Sequence, residues 1–133
     1  MAPFMAADVL GRPRVTTADL ATETGPLPAE GVTLVEGAGG PRSPLAHDGD
    51  VIDLARALGI GRAVLVADAG LGTINAVRLC VDALTGLDTV VFLNRFDASD
   101  DLHRRNRSWL AAAGYVVTTG LVELADTLVA RLP

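Results

Sequence analysis

The chain has 133 residues, of which 50% are hydrophobic and 20% charged, and its formal net charge is −5. This size and composition predict one domain, residues 1–133, with an ample core. No apolar run approaches the roughly 20 residues of a membrane helix, which argues against a membrane-spanning protein. The arginines are too scattered for a general nucleic-acid-binding protein. The single cysteine, Cys80, excludes an internal disulfide. The first ten residues lack the basic start of a signal peptide, so we expect a cytoplasmic location.

Apolar runs and helical spacing predict an alternation of strands and helices along the chain. In chain order, we expect a helix at Thr17–Thr24, a strand at Val32–Val35, a helix capped by Asp50, a strand at Ala63–Ala67, a helix after the turn Asp68–Gly72, a strand at Thr89–Leu93, a helix capped by Ser99 or Asp100, a strand at Tyr115–Thr118 and a helix from about Gly120 to Arg131. Short connections between alternating elements predict an α/β fold, a mostly parallel sheet with helices on both faces.

The same spacing predicts which side of each helix is buried. The unbroken run Ala63–Ala67 predicts a strand covered on both faces. The polar side chains His103, Arg104, Arg105 and Arg107 are expected to face solvent. The expected buried positions are Val51, Leu54, Ala55 and Leu58, then Ile74, Val77, Val81 and Leu84, then Leu102, Trp109, Leu110 and Ala113, and finally Leu121, Leu124 and Leu128.

The stretch Val35–Gly40 combines one carboxylate, Glu36, with three glycines that permit a tight turn and a close approach of backbone. If a strand leads into it, Glu36 stands at the carboxyl edge of the parallel sheet, where ligands bind in open α/β folds. A carboxylate there suits Mg²⁺, a hard ion that prefers oxygen. The alternative is a glycine-rich turn with a solvated Glu36.

The turn between Asp68 and Asn75 is the segment richest in hydrogen-bond donors. Gly70 and Gly72 expose backbone N–H groups at a helix start, which attracts phosphate or carboxylate, and Thr73 and Asn75 add side-chain donors. The alternatives are a helix capped by Thr73 after a flexible turn, and an Asp68 that caps the helix following it instead of holding a metal.

Asn94 ends an apolar strand, and its amide can donate and accept at once, which suits the edge of a purine ring. The alternative is an asparagine that secures its own turn. The 133 residues contain no Gly-x-x-x-x-Gly-Lys-[Ser/Thr] sequence and no lysine, so a nucleotide site would lack the usual phosphate-binding loop.

These segments together resemble dethiobiotin synthetases. The motif Val-Glu-Gly-Ala-Gly-Gly at 35–40, followed by Pro44-Leu45, is similar to that family's second signature. The motif Val-Leu-Val-Ala-Asp-Ala-Gly-Leu-Gly-Thr-Ile-Asn at 64–75 is similar to its next strand and Gly-x-Gly-Thr-Ile-Asn-His segment, with Ala76 in place of the His. Asn94-Arg95 falls where the family has its base-recognising asparagine.

The resemblance implies a P-loop fold that closes the ureido ring of dethiobiotin from 7,8-diaminopelargonate and carbon dioxide, with ATP and Mg²⁺. It implies that Glu36 is an Mg²⁺ ligand and that the catalytic segment with Gly37, Gly39 and Gly40 lines the phosphate and substrate region. It further implies that Asn94 reads adenine. Gly72, Thr73 and Asn75 would hold the substrate carboxylate across a dimer interface.

The family's P-loop strand and the strand after it have no counterpart in these residues, which predicts a P-loop-NTPase-like sheet with an unpaired edge. We therefore expect a tight partner, either a P-loop-bearing second chain or a second copy. Half of a split enzyme, a non-catalytic binding relative, and a piece of a longer enzyme remain open; Met1 mildly favours the first two. Cobyrinic acid amide synthetases share the Glu-Gly-Ala-Gly-Gly type of turn but match the second motif less well.

Overall fold

A computed structural model describes residues 2–28 and 30–131; Met1, Ala29, Leu132 and Pro133 lie outside the described residues. The chain divides into two compact units, residues 1–61 and 62–133. The single-domain organisation stays a prediction. The described elements are α1 Pro3–Val9, α2 Thr17–Thr24, α3 Val51–Ala57, β1 Arg62–Asp68, α4 Thr73–Ala83, β2 Asp88–Asn94, α5 Asp101–Ala112, β3 Val116–Thr118 and α6 Leu121–Val129.

Reciprocal capping begins two helices of the N-terminal unit. The Thr16 side chain accepts from the Asp19 amide while the Asp19 carboxylate accepts from the Thr16 amide, and Asp50 and Asp53 form the same pair before α3. Each pair satisfies two amides that a helix start leaves without partners. The predicted helix Thr17–Thr24 and the predicted cap Asp50 are both confirmed.

The buried side of α3 differs from the prediction. Ile52, which the predicted face omitted, is 1% exposed, whereas Val51, Leu54, Ala55 and Leu58 are only half-buried. A helix of seven residues makes about two turns, so apolar spacing leaves its orientation open. The helix α1, which has no clear apolar period, was not predicted.

The predicted strand Val32–Val35 is wrong. No backbone hydrogen bond joins residues 32–37 to another part of the described chain, and the side chains of Val32 and Leu34 are 64% and 80% exposed. A strand needs a neighbour for its N–H and C=O groups. An apolar run shows only that a segment is suited to pairing, and this segment finds no such neighbour among the described residues.

The C-terminal unit contains a three-stranded parallel sheet in the order β1-β2-β3. Seven consecutive residues of β1 pair with β2, from Arg62 opposite Asp88 to Asp68 opposite Asn94. The central strand β2 buries Val91 and Leu93. The predicted α/β architecture with a parallel sheet is confirmed.

One hydrophobic cluster packs α4 and α5 against this sheet. Val91 and Leu93 of β2, Val77 of α4 and Leu110 of α5 are all fully buried, and these contacts confirm the predicted face of α4. The prediction that β1 is covered on both faces is wrong, because Val66 is 61% exposed. Side chains alternate along a strand, so Leu65 packs on the cluster while Val66 points to the other face.

The predicted buried sides of α5 and α6 are partly wrong. Of the expected positions, Leu110 is buried and Leu124 and Leu128 are half-buried, but Leu102, Trp109 and Leu121 are 40%, 44% and 74% exposed. Ala113 is also exposed. The buried stripe of α5 instead consists of half-buried His103 with buried Asn106 and Leu110, because Asn106 finds hydrogen-bond acceptors in the turn after β1.

Among residues 2–28 and 30–131, no helix is long and apolar enough to cross a membrane. The longest described helix, α5, has 12 residues.

Glu123 stabilises the start of α6, which Gly120 leaves without a side-chain cap. Its carboxylate accepts hydrogen bonds from the Thr119 amide at 2.8 Å and the Thr119 hydroxyl at 3.3 Å, and it lies 3.4 Å from the Arg107 guanidinium. The hydrogen bond from the Thr119 amide, helped by the charge of Arg107, lowers the pKa of Glu123. The ionised carboxylate is thus the form that the fold favours.

We predict that Glu123→Gln lowers the free energy of unfolding by roughly 0.5 kcal/mol at pH 7, a figure reduced for the solvent exposure of the side chain. Because the folded pKa is lowered, this contribution is present above the ordinary glutamate pKa of about 4.3 and is lost as the pH falls through the folded value. Urea unfolding of both proteins at pH 7 and pH 3 measures it. Glu23→Gln, on exposed α2, serves as the control, and a Glu123 effect as large at pH 3 as at pH 7 would contradict the assignment.

Candidate functional site

The register of the sheet brings two predicted ligand segments together. Asp68 and Asn94 are Cα partners at the ends of β1 and β2, so the turn after β1 and the loop after β2 leave from one edge. Thr118 ends β3 opposite Phe92, so the chain after β3 leaves from the same edge. Glu36, which was expected at the carboxyl edge of the sheet, belongs to the N-terminal unit and does not follow a strand.

Glycines shape the turn between β1 and α4. The Asp68 carboxylate accepts the Gly70 amide at 2.7 Å, and a Cβ at Gly70 would lie 2.9 Å from the same oxygen. Gly72 has φ of +89°, in the left-handed region that favours glycine. Asp68 therefore accepts a hydrogen bond within its own turn and does not cap α4, whose N-cap residue is Gly72.

The N-terminus of α4 is rich in unused donors. Gly72 supplies no side-chain cap, and the described residues provide no acceptor for the amides of Ile74 and Asn75. The Thr73 amide makes only a long contact of 3.4 Å to the Gly70 carbonyl. The exposed Asn75 side chain adds further donors. Free amides at the positive end of a helix attract a carboxylate or a phosphate.

The hydroxyl of Thr73 is buried without a partner. The residue is 4% exposed, and its Oγ1 is the buried side-chain atom of the described chain that lacks a hydrogen bond. Such an atom costs about 1–3 kcal/mol. Buried polar groups without a hydrogen bond are rare in folded proteins and are often explained by a functional role. Thr73, a predicted site residue, is such a group at the start of α4.

Asn94 secures its own loop and keeps part of its amide free. Its Oδ1 accepts the Arg95 amide at 3.0 Å, and the described chain offers its exposed Nδ2 no acceptor. Arg95 has φ of +56° and is the described non-glycine residue with positive φ. A residue in this region is held there by its surroundings, often near a functional site. The amide nitrogen and one oxygen lone pair of Asn94 remain available to a ligand.

Two side chains of α5 support this edge: Asn106, which sequence reasoning missed, and half-buried His103, which was wrongly expected to face solvent. Asn106, 6% exposed, donates through Nδ2 to the carbonyls of Ala69 and Gly70, both at 2.9 Å. His103 accepts the Asp97 amide at Nδ1, at 3.0 Å. The spacing of His103, Asn106 and Leu110 is that of one helix face, but only Leu110 is apolar, so the hydrophobic pattern gave no reason to expect the stripe.

The glycine-rich segment of the N-terminal unit is a close-packed turn. A Cβ at Gly37 would lie 2.7 Å from a methyl carbon of Val51, Gly39 has φ of +88°, and the Gly40 amide donates to the Ser43 hydroxyl at 2.8 Å. These contacts require glycine at Gly37 and Gly39. The predicted tight turn is present, although no strand precedes it.

The exposed Glu36 carboxylate is compatible with magnesium binding. It has no hydrogen bond or ion pair with another described residue. The described ranges contain no group of three or more histidine, cysteine or acidic side chains arranged for a metal ion. Magnesium is commonly bound by one or two carboxylates together with substrate phosphates and water, and a single free carboxylate fits that role.

Comparison with known proteins assigns the chain to a family. A family model described as an AAA domain matches residues 1–104, which contain all the predicted site residues. The chain is 38% identical over 109 residues to the ATP-dependent dethiobiotin synthetase of Haloferax mediterranei, and 36% identical over 111 residues to that of Parafrankia sp.. Each alignment covers 80% of this chain.

The ATP-dependent dethiobiotin synthetase of Corynebacterium efficiens is 45% identical over 84 residues, or 62% of this chain. The three alignments cover 47%, 46% and 38% of the relatives from Haloferax, Parafrankia and Corynebacterium, so the chain spans less than half the length of these proteins. The family model and the relatives agree with the two glycine-rich motifs: the chain belongs to the AAA domain family and, within it, to the dethiobiotin synthetases.

Proposed function

We propose that this chain supplies the carboxylate-, magnesium- and adenine-binding groups of an ATP- and Mg²⁺-dependent dethiobiotin synthetase acting on 7,8-diaminopelargonate in the cytoplasm. The observation that carries the proposal is the start of α4, where unused amides stand beside the buried, unpartnered Thr73 hydroxyl. A carboxylate-bearing substrate would satisfy these donors. Family membership and the free Glu36 carboxylate support it.

In this proposal the segment with Gly72, Thr73 and Asn75 binds the substrate carboxylate, through the backbone amides at the start of α4 and the side chain of Asn75. Charge-assisted hydrogen bonds from these donors would orient the diamine. The resemblance to the family implies that they reach the carboxylate across a dimer interface. The exposed Nδ2 of Asn94 would donate to adenine.

Glu36 would hold Mg²⁺, and the backbone of Gly37, Gly39 and Gly40 would lie along the phosphates. Val51 fills the space that a Gly37 side chain would need, so the backbone that follows Glu36 is held by packing. Bound ATP with Mg²⁺ supplies the driving force for ring closure. The residues of this chain position the reactants and balance their charge.

The phosphate-binding loop and its lysine would come from another segment, since these 133 residues contain neither. In the described part of the sheet, β1 pairs with β2 on one side only. An edge strand left open is prone to pair with another chain. The proposal therefore includes a P-loop-bearing partner that adds a strand beside β1; a homodimer is the alternative.

Native mass spectrometry of the chain purified gently from its own host tests the partnership. We expect a stoichiometric companion carrying a P-loop, and ATP-dependent formation of dethiobiotin by the pair. A chain recovered alone, or only as a homodimer, and inactive with diaminopelargonate and ATP would contradict the split-enzyme proposal.

We predict that Glu36→Gln abolishes synthetase activity of the assembled enzyme with little change in the free energy of unfolding. The neutral amide is a poor magnesium ligand, and the carboxylate makes no contact whose loss would destabilise the fold. Product formation and thermal unfolding are measured side by side. Glu30→Gln, a nearby exposed carboxylate, should keep full activity; activity retained by Glu36→Gln would overturn the metal-ligand role.

A second candidate is a non-catalytic carboxylate-binding module. This second function is favoured because Asp68 and Asn94 both accept hydrogen bonds within their own turns. It predicts that Asn75→Ala weakens the binding of diaminopelargonate by about tenfold to a hundredfold, the worth of one hydrogen bond to a charged group, while Glu36→Gln leaves binding unchanged. Isothermal titration without ATP measures both, and equal losses in the two variants would argue against it.

A further inference from the structure

We infer that Asn106 is a positioning residue that fixes the turn between β1 and α4 in the form that presents the α4 N-terminus to a carboxylate. The inference rests on the proposed function of that turn. It adds a residue on another helix, α5, which makes no contact with the ligand in this scheme and acts through the backbone of Ala69 and Gly70.

The orientation of the Asn106 amide follows from its partners. Both partners are backbone carbonyls, which only accept, so the nitrogen with its two N–H groups must face them. Both donor–acceptor distances are 2.9 Å, within the normal range. The two bonds join segments 36 and 37 residues apart in the chain. Because Asn106 is 6% exposed and Ala69 is fully buried, water competes little for them.

These bonds complete the hydrogen bonding of Gly70. Its amide donates to the Asp68 carboxylate at 2.7 Å, and its carbonyl accepts from Asn106. The peptide groups on both sides of Gly70 are therefore held. Leu71, 93% exposed, and Gly72, with φ of +89°, then carry the chain into α4. Because the first half of the turn is held, only the backbone torsions of Leu71 and Gly72 determine the direction of the Thr73 amide.

The Gly70 carbonyl would otherwise compete for the ligand-binding donors. It already lies 3.4 Å from the Thr73 amide, a long and weak contact. Asn106 engages this carbonyl from the side of α5. Without Asn106, a small shift would let the Thr73 amide close a full hydrogen bond to Gly70. The amide would then be less available to a substrate carboxylate.

We predict that Asn106→Leu, which keeps similar volume without donors, raises the KM for diaminopelargonate about tenfold and leaves kcat and the KM for ATP within about twofold. Asn106→Asp should behave similarly at pH 7, because a carboxylate would face two carbonyl oxygens. Steady-state kinetics of the assembled enzyme measure kcat and the two KM values separately. Leu110→Val, which loosens the same helix in the core but keeps the two hydrogen bonds of Asn106, is the matched control and should leave the KM unchanged.

Hydrogen exchange followed by mass spectrometry gives a second test of the inference, one that does not depend on enzymatic activity. Asn106→Leu should speed exchange in the peptide covering residues 69–75 and leave β2 protected as in the unmodified chain. Unchanged exchange in that peptide would overturn the inference, as would an equal rise in KM for Leu110→Val. An active enzyme with faster exchange but an unchanged substrate KM would also overturn it. Faster exchange in Asn106→Leu, together with no synthetase activity in the unmodified protein, would support the positioning of the turn and reject the proposed function.

Discussion

The parallel pairing of β1 with β2 is the constraint on which the C-terminal unit depends. Its seven-residue register buries Val91 and Leu93 against α4 and α5 and ends both strands together at Asp68 and Asn94. A shift of one residue would turn every side chain to the opposite face. The same hydrogen bonds therefore decide the composition of the core and the proximity of two ligand-binding segments.

Satisfied and unsatisfied polar groups lie side by side at this edge. Asn106 is buried with both N–H groups engaged, and the Gly70 peptide groups are held. At the start of α4, the amides of Ile74 and Asn75 and the Thr73 hydroxyl have no partner among the described residues. The hydrogen bonds of Asn106 and Gly70 hold the turn, and the free donors follow directly after it. Donors that are already oriented bind a ligand at a lower entropic cost.

The glycine-rich segment of the N-terminal unit owes its form to contacts within that unit. Gly37 packs on Val51 at the start of α3, and Asp50 both caps α3 and pairs with Arg42 at 2.7 Å. Packing and capping thus hold the backbone after Glu36, while the Glu36 carboxylate remains exposed. Because this backbone is already ordered, the Glu36 carboxylate would lose little conformational entropy on binding a cation.

The sequence by itself determined the helices α2 to α6, the strands β1 to β3, the cap Asp50, and the glycine turns with the donors that follow Asp68. It narrowed the cap of α5 to Ser99 or Asp100, and the structure assigns it to Asp100. Local periodicity, capping and backbone torsions encode these features, and nearby residues are enough to express them. Only the tertiary structure decided that Val32–Val35 is not a strand and that α5 buries Asn106 instead of Trp109. Both outcomes depend on hydrogen-bond partners: the first segment finds none among the described residues, and the Asn106 acceptors lie 36 and 37 residues away, beyond the reach of any local pattern.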